Sequence, residues 1–112
     1  MPLVSVVIPV YNGERFLRES LESVFSQTFH DYEVVCVDDG STDGSYPILK
    51  QFGARLRVIQ QANAGQSAAR NAGVEAADGR FVAFLDQDDR WYPTKLAQQV
   101  AELTARPDVT MV

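Results

Sequence analysis

Leu3 to Val10 is apolar at nearly every position, the pattern of a strand covered on both faces. Pro9 and the Tyr11-Asn12-Gly13 turn are expected to stop it. From Glu14 to about Gln27 the period changes. Leu17, Leu21 and Val24 recur at helical spacing, with Phe16 and Phe25 widening the stripe. Glu33 to Val37 reads as a second buried strand. Asp39 to Gly44 reads as a loop, with Asp43 placed to cap a short helix reaching about Phe52. Leu56 to Ile59 is a third strand, and Asn63-Ala64-Gly65-Gln66 is a turn. The helix after it runs to about Ala76, with Ala68, Ala72 and Ala76 on one face, where small side chains allow close packing. Phe81 to Leu85 is a fourth strand. Pro93 suits the first turn of a last helix, whose buried face is Leu96, Val100 and Leu103. Pro107 is expected to stop that helix, and Val109 to Val112 to begin a fifth strand.

Strands alternating with helices predict an α/β fold: an open, largely parallel sheet with helices on both faces and right-handed crossovers. The chain has 112 residues, enough for one compact domain, and no repeats or linker. It stops inside an apolar run, so it is expected to be a piece of a longer protein. The sheet edge near Val109 to Val112 is then expected to promote association into a homo-oligomer.

Charge narrows the partners. The net charge is -5 with no basic stripe, which argues against a nonspecific nucleic-acid binder. A nucleotide ligand remains compatible if a metal supplies positive charge. Cys36 is the single cysteine and lies in an apolar strand, so it is read as a small buried side chain. His30, the single histidine, sits in a polar connection and is read as solvated. The first apolar run is too short to span a membrane and lacks a basic leader. The expectation is a soluble piece, cytoplasmic or facing the cytoplasm, whose parent can still be membrane-associated.

The chemistry lies at the strand ends. The apolar run Phe81 to Leu85 meets Asp86-Gln87-Asp88-Asp89, three carboxylates within four positions. Acids so crowded repel one another and resist desolvation. Facing water relieves that cost, as does a hard divalent cation with oxygen ligands. Three other features share that sheet edge, where α/β sheets bind ligands. They are Pro9-Val10-Tyr11-Asn12, Asp38-Asp39-Gly40-Ser41 and Ala69-Arg70-Asn71. Each has a plain alternative: turn chemistry for the first two, a surface helix residue for Arg70, a solvated cap for the acids. Their joint placement weakens all four alternatives together.

These segments resemble family 2 glycosyltransferases, which have the GT-A, Rossmann-like fold. The matching stretches are Val4 to Asn12, Val37 to Asp43, Asn63 to Gly73 and Phe84 to Asp89. The resemblance implies that residues 1–112 are the nucleotide-sugar-binding part of a transferase domain, with strand order 3-2-1-4 and the acceptor-binding half missing. It implies that Pro9, Val10, Tyr11 and Asn12 wall the nucleobase and ribose. Asp39 would pair with the uracil edge, with Asp38 beside it, and Arg70 would lie near the base and balance local negative charge. Asp86 would approach ribose and metal, Asp88 would be a ligand to Mg²⁺ or Mn²⁺, and Gln87 lies between them in the donor site. Asp89 is a weaker candidate, orienting Asp88 or facing the acceptor. The reaction implied is metal-dependent, inverting transfer from a nucleotide-diphosphate sugar, with UDP favoured, to an acceptor glycan or lipid-linked sugar in polysaccharide biosynthesis. No residue matches the family's general base, so the piece is expected to bind donor without transferring it.

Other classes fit less well. A sugar-phosphate nucleotidyltransferase would carry a glycine-rich loop where Pro9 to Gly13 stands. A phosphoacceptor receiver domain needs an aspartate after the third strand, which here ends Ile59-Gln60-Gln61. A non-catalytic nucleotide-binding module is the main alternative.

Overall fold

The structure is a computed structural model and describes residues 2–105. The proposed fifth strand, its edge and the Pro107 stop lie outside the described residues. Among the described residues, four strands and four helices alternate. They are β1 (Val4–Val10), α1 (Glu14–Phe25), β2 (Tyr32–Asp39), α2 (Ser45–Gln51), β3 (Arg57–Gln61), α3 (Gln66–Ala76), β4 (Phe81–Phe84) and α4 (Lys95–Ala105). A short 3₁₀ turn, Gly53–Arg55, leads into β3. The sheet order is β3-β2-β1-β4, and every pair is parallel. This is the open parallel sheet the alternation predicts, in the order the resemblance implies.

The two sheet faces are covered unequally. Val4, Val6, Ile8 and Val10 of β1 share one core with Leu17, Leu21 and Val24 of α1, Leu49 of α2 and Leu96 of α4. Val35 and Val37 of β2 form a second, smaller core with Ala69 of α3. The alternation of strand side chains makes this division. All seven residues of β1 are buried, as a central parallel strand requires.

Several sequence expectations shift. Pro9 does not stop β1 but lies within it, paired in register with Val37. A central strand tolerates it because β4 pairs only with Val4 to Val7, so no neighbour needs the missing N–H at Pro9. Asp38 and Asp39 are the last residues of β2 rather than a following loop. Phe16 is 44% exposed and adds nothing to the buried face of α1, whose fourth buried residue is Ser20. On α3 the face against the sheet is centred on Ala69 and Gly73, with Ala72 and Ala76 at its margin. A Cβ on Gly73 would collide with Val7 Cγ1 and lie 3.4 Å from Val37 Cγ2. Pro93 lies in the turn before α4, not in its first turn. Cys36 is fully buried as expected, and burial pushes its thiol pKa up.

At the amino end of the sheet, Glu33 ties three segments together. Its Oε2 accepts from the Ser5 hydroxyl at 2.5 Å and from the Asp78 N–H at 2.6 Å. Arg57 reaches its Oε1 at 3.1 Å and also donates to the Ala76 carbonyl at 2.9 Å. The carboxyl end of the sheet, with no such closure, is where the strands open onto a cavity.

Candidate functional site

The cavity at that edge has a volume of about 550 Å³. The end of β1 supplies Pro9, Val10 and Tyr11, and β2 supplies Asp39. The β3–α3 connection and α3 supply Asn63, Gly65, Gln66 and Ala69. The segment after β4 closes the other side with Asp86, Gln87 and Asp88. It sits where β1 has neighbours leading in opposite directions through the chain, the usual ligand crevice of an α/β sheet.

Asp39 is the most heavily bonded carboxylate of the site. It is 3% exposed. Its Oδ1 accepts from Gln61 Nε2 at 2.8 Å and from the Ala64 N–H at 2.9 Å. Its Oδ2 accepts from the Gly65 N–H at 3.0 Å and from Asn63 Nδ2 at 3.1 Å. Burial alone would raise its pKa, but the bonds from Gln61, Ala64 and Gly65 outweigh it and leave the pKa below the ordinary value. Asp39 therefore shapes the β3–α3 turn as well as lining the cavity. Gly40 follows with φ +75°, and a Cβ there would come within 2.7 Å of the Asn63 nitrogen, so only glycine lets this turn close so tightly.

Asp38 points the other way by strand alternation. It is 2% exposed, and its Oδ1 has no hydrogen-bond partner among the described residues. It is not part of the cavity lining. Asn12 is likewise turned away. It adopts φ 48°, which asparagine tolerates better than most residues. Its Oδ1 accepts from the Thr42 N–H at 2.8 Å, and its own N–H donates to Ser41 Oγ at 3.0 Å. The N-cap position of α2 falls to Gly44 rather than Asp43, but from one residue earlier Asp43 still accepts from the Ser45 N–H at 2.9 Å and also from the Glu14 N–H at 3.2 Å. These contacts lash the β1–α1 and β2–α2 connections together and hold the cavity wall.

On the acidic side, the Asp89 N–H donates to the Asp86 carbonyl at 3.0 Å, closing a turn with Gln87 and Asp88 at its centre. Asp86 Oδ1 accepts from Gln66 Nε2 at 3.2 Å and pairs with Arg70 Nη2 at 3.2 Å. Both partners are half exposed, so the ion pair contributes little to stability. Its effect is to balance the charge beside Asp86. The Arg70 guanidinium also lies 5.5 Å above the Phe84 ring, which aims it at the cavity rim. Asp89 Oδ1 accepts the Arg90 N–H at 2.8 Å and stays outside the lining.

Asp88 is exposed and makes no hydrogen bond or ion pair with the described residues. Among those residues no group of three or more His, Cys, Asp or Glu side chains is arranged to hold a metal ion. An ion held by protein alone is not what this geometry offers. Two carboxylates, Asp88 and the free oxygen of Asp86, do fit a hard cation that takes its remaining ligands from phosphate and water.

Of the residues singled out from the sequence, Pro9, Val10, Tyr11, Asp39, Asp86, Gln87 and Asp88 meet in one cavity. Arg70 reaches it through Asp86, Asn12 braces it from behind through the β2–α2 connection, and Asp38 lies outside the lining. Asn63, Gly65 and Gln66 carry no site role in the sequence reading, and Ala69 enters it only as part of the Ala69-Arg70-Asn71 feature. The signal for them was their turn, which follows a strand end at the same sheet edge.

The family described as "Glycosyl transferase family 2" matches residues 5–112. The uncharacterized glycosyltransferase EpsJ of Bacillus subtilis is 46% identical over 92 residues, covering 80% of this chain and 27% of its own length. Among solved structures, S. aureus TarS 1-349 in complex with UDP-GlcNAc superposes with a TM-score of 0.88 at 34% identity, covering 94% of this chain and 32% of that one. The mannosyltransferase PcManGT from Pyrobaculum calidifontis, in complex with GDP-Man and Mn²⁺, gives 0.80 at 27% identity, over 96% of this chain and 34% of that one. The chain thus spans about a third or less of the length of these relatives.

Proposed function

This chain belongs to glycosyl transferase family 2, and from that premise we propose that it is the donor-binding part of an inverting, metal-dependent transferase that uses a UDP-sugar. The observation that carries this is one cavity with a hydrogen-bonded wall at one end and two solvent-facing carboxylates at the other. A nucleotide diphosphate has the same polarity, a flat base at one end and an anionic group at the other.

The base and ribose lie along Pro9, Val10 and Tyr11 in this reading. Asp39 and the turn it organises face the base edge. Asp39 has committed its oxygens to four donors, so pairing with uracil exchanges or shares one of them, and the two side-chain donors, Gln61 and Asn63, are the partners able to swing. Arg70 approaches the nucleotide from the rim. Asp86 and Asp88 hold Mg²⁺ or Mn²⁺, which when bound offsets the charge that grows on the leaving diphosphate. The solved TarS and PcManGT complexes support a nucleotide-sugar ligand, and the latter supports a divalent ion. The choice of UDP rests on Asp39 and the TarS likeness.

The acceptor hydroxyl needs a base to remove its proton, and no described residue takes that role. The chain alone is therefore a donor binder, its acceptor a glycan or lipid-linked sugar met by residues outside it. Titration with UDP, with and without Mn²⁺, tests this reading. Tighter binding with Mn²⁺, and weaker binding of GDP, is expected. Absence of metal-dependent binding to either nucleotide would sink the assignment, and sugar transfer by the isolated 112 residues would overturn the donor-only role.

A further inference from the structure

Ser20 sits in the middle of α1 on its apolar face, between Leu17, Leu21 and Val24, and is fully buried. A hydroxyl there needs a partner to offset its lost hydration. It finds two. Ser20 Oγ lies 2.7 Å from the Gln87 carbonyl and 2.5 Å from the Asp89 carbonyl. A serine hydroxyl carries one proton, so the two carbonyls share it. These carbonyls belong to the residues before and after Asp88. Drawing both onto one buried point forces the residue between them outward, and Asp88 is the exposed apex of that turn.

The contact belongs to a polar seam along one face of α1 and its extension. Ser20, Ser23 and Gln27 follow at spacings that place them on one side of a helix. Ser23 Oγ donates to the Ser20 carbonyl at 2.6 Å and accepts the Trp91 N–H at 3.1 Å. The Gln27 carboxamide donates to the Tyr92 carbonyl at 2.8 Å and accepts the Leu96 N–H at 3.0 Å. The Thr28 N–H donates to the Pro93 carbonyl at 2.9 Å. The stretch from Gln87 to Thr94 holds only turns and irregular chain, so this seam takes the place of a strand neighbour.

We infer that Ser20 is a positioning residue for Asp88, setting the height and direction of that carboxylate over the cavity. The inference rests on the donor-site reading above. Ser20 touches neither nucleotide nor ion. It acts by fixing the Gln87–Asp88 peptide group on one side of the acid and the Asp89–Arg90 peptide group one residue beyond it on the other. Ser23 and Gln27 hold the downstream part of the same segment and do not bracket the acid.

The test uses Ser20→Ala and Ser23→Ala in the 112-residue chain, with UDP, Mn²⁺ and the single tryptophan as probes. Trp91 is 8% exposed and lies in the held segment, so its emission reports loosening there without any ligand. In Ser20→Ala, the gain in UDP affinity on adding Mn²⁺ is expected to fall at least fivefold, while affinity without metal stays within twofold. Amide exchange in the ligand-free variant is expected to quicken at residues 87–90 and not in α3. Ser23→Ala is expected to red-shift Trp91 emission and keep the metal-dependent gain. Equal loss of that gain in both variants would reduce the effect to general loosening and overturn the inference. So would an unchanged gain, or unchanged exchange, in Ser20→Ala. If Ser20→Ala does not fold, Ser20→Cys carries the same comparison with a weaker donor of similar size, and a wild-type gain in it overturns the inference. A wild-type chain showing no metal-dependent gain would overturn the donor-site reading and this inference together. A normal wild-type gain that survives in Ser20→Ala would overturn this inference alone.

Discussion

The Gln87 carboxamide accepts the Tyr11 N–H at 2.7 Å and donates to the Tyr11 carbonyl at 2.8 Å. The Leu85 N–H donates to the Val7 carbonyl at 3.1 Å, the last rung between the main chains of β4 and β1. Tyr11 lies four residues beyond Val7 and presents its main chain to the same side. The side chain of Gln87 thus supplies one more rung after the strand itself has turned away. It links the Tyr11 side of the cavity to the acidic turn.

Gln87→Ala removes both bonds. The expected cost is about 1 kcal/mol of stability, since the groups are exposed and water replaces part of each bond. UDP affinity is expected to fall as well, because the two walls no longer share a fixed spacing. Gln87→Glu keeps an acceptor for Tyr11 N–H but sets a carboxylate against the Tyr11 carbonyl. It is expected to bind more weakly than Gln87→Ala at neutral pH and to recover in acid. Urea unfolding and UDP titration of both variants check this. Wild-type affinity in Gln87→Ala would show that the rung is dispensable.

Asp88→Asn separates metal binding from stability. Asp88 is exposed and unpaired among the described residues, so its stability change is expected to stay within about 0.5 kcal/mol. The Mn²⁺-dependent gain in UDP affinity is expected to disappear. Asp86→Asn is expected to lose that gain and also to change metal-free binding, because Gln66 and Arg70 lean on the same carboxylate. Calorimetric titration with and without Mn²⁺ distinguishes the two.

Acid should unfold the chain through hydrogen-bonded carboxylates. Burial raises the pKa of Asp39, Asp43 and Glu33, yet hydrogen bonds to each outweigh it and leave all three below their ordinary values. A carboxyl whose pKa is depressed by folding stabilises the fold above its unfolded value and stops doing so as pH falls through the folded one. Stability from these groups should therefore be level at neutral pH and decline below roughly pH 4, the unfolded carboxylate range. Asp39→Asn turns an amide toward donors that Asp39 accepts, and is expected to cost about 1–3 kcal/mol at neutral pH. It should also flatten the acid decline. Urea midpoints measured from pH 3 to 7 check both points.

Gly73→Ala tests the close approach of α3 to the sheet. Alanine gains roughly 1 kcal/mol of helix propensity over glycine. Against that, the new methyl would collide with Val7 in a fully buried layer, where overpacking costs about 1–3 kcal/mol. Net destabilisation is expected, with α3 pushed outward and Gln66 and Arg70 displaced from Asp86. A stabilised variant with unchanged UDP binding would contradict the packing argument.

Much of this fold is legible in the sequence because burial on both faces writes itself as a continuous apolar run. Leu3 to Val10, Glu33 to Val37 and Phe81 to Leu85 all show it. The alternation with helical periods then leaves few sheet types. The strand order came from the family resemblance rather than from the pattern. Features set by tertiary contact were the ones misplaced. Nothing local says that Pro9 can stay in a central strand, because that depends on how far β4 reaches. The alanine series of α3 points to the face of Ala68, Ala72 and Ala76, whereas the sheet selects Ala69 and Gly73. Ser20 reads as an ordinary polar break in a helix, since its partners lie 67 and 69 residues away. The acids were legible as a cluster, but which of them stays free depends on Gln66, Arg70 and Arg90 N–H.

Pro9 has one further consequence. It lies midway between Val7, where main-chain pairing with β4 ends, and Tyr11, where Gln87 takes over. A residue with an N–H there would offer an edge onto which another extended segment could zip. Proline cannot be zipped. A chain segment laid along β1 therefore finds no N–H to pair with at Pro9, beside the place where the nucleotide is proposed to enter.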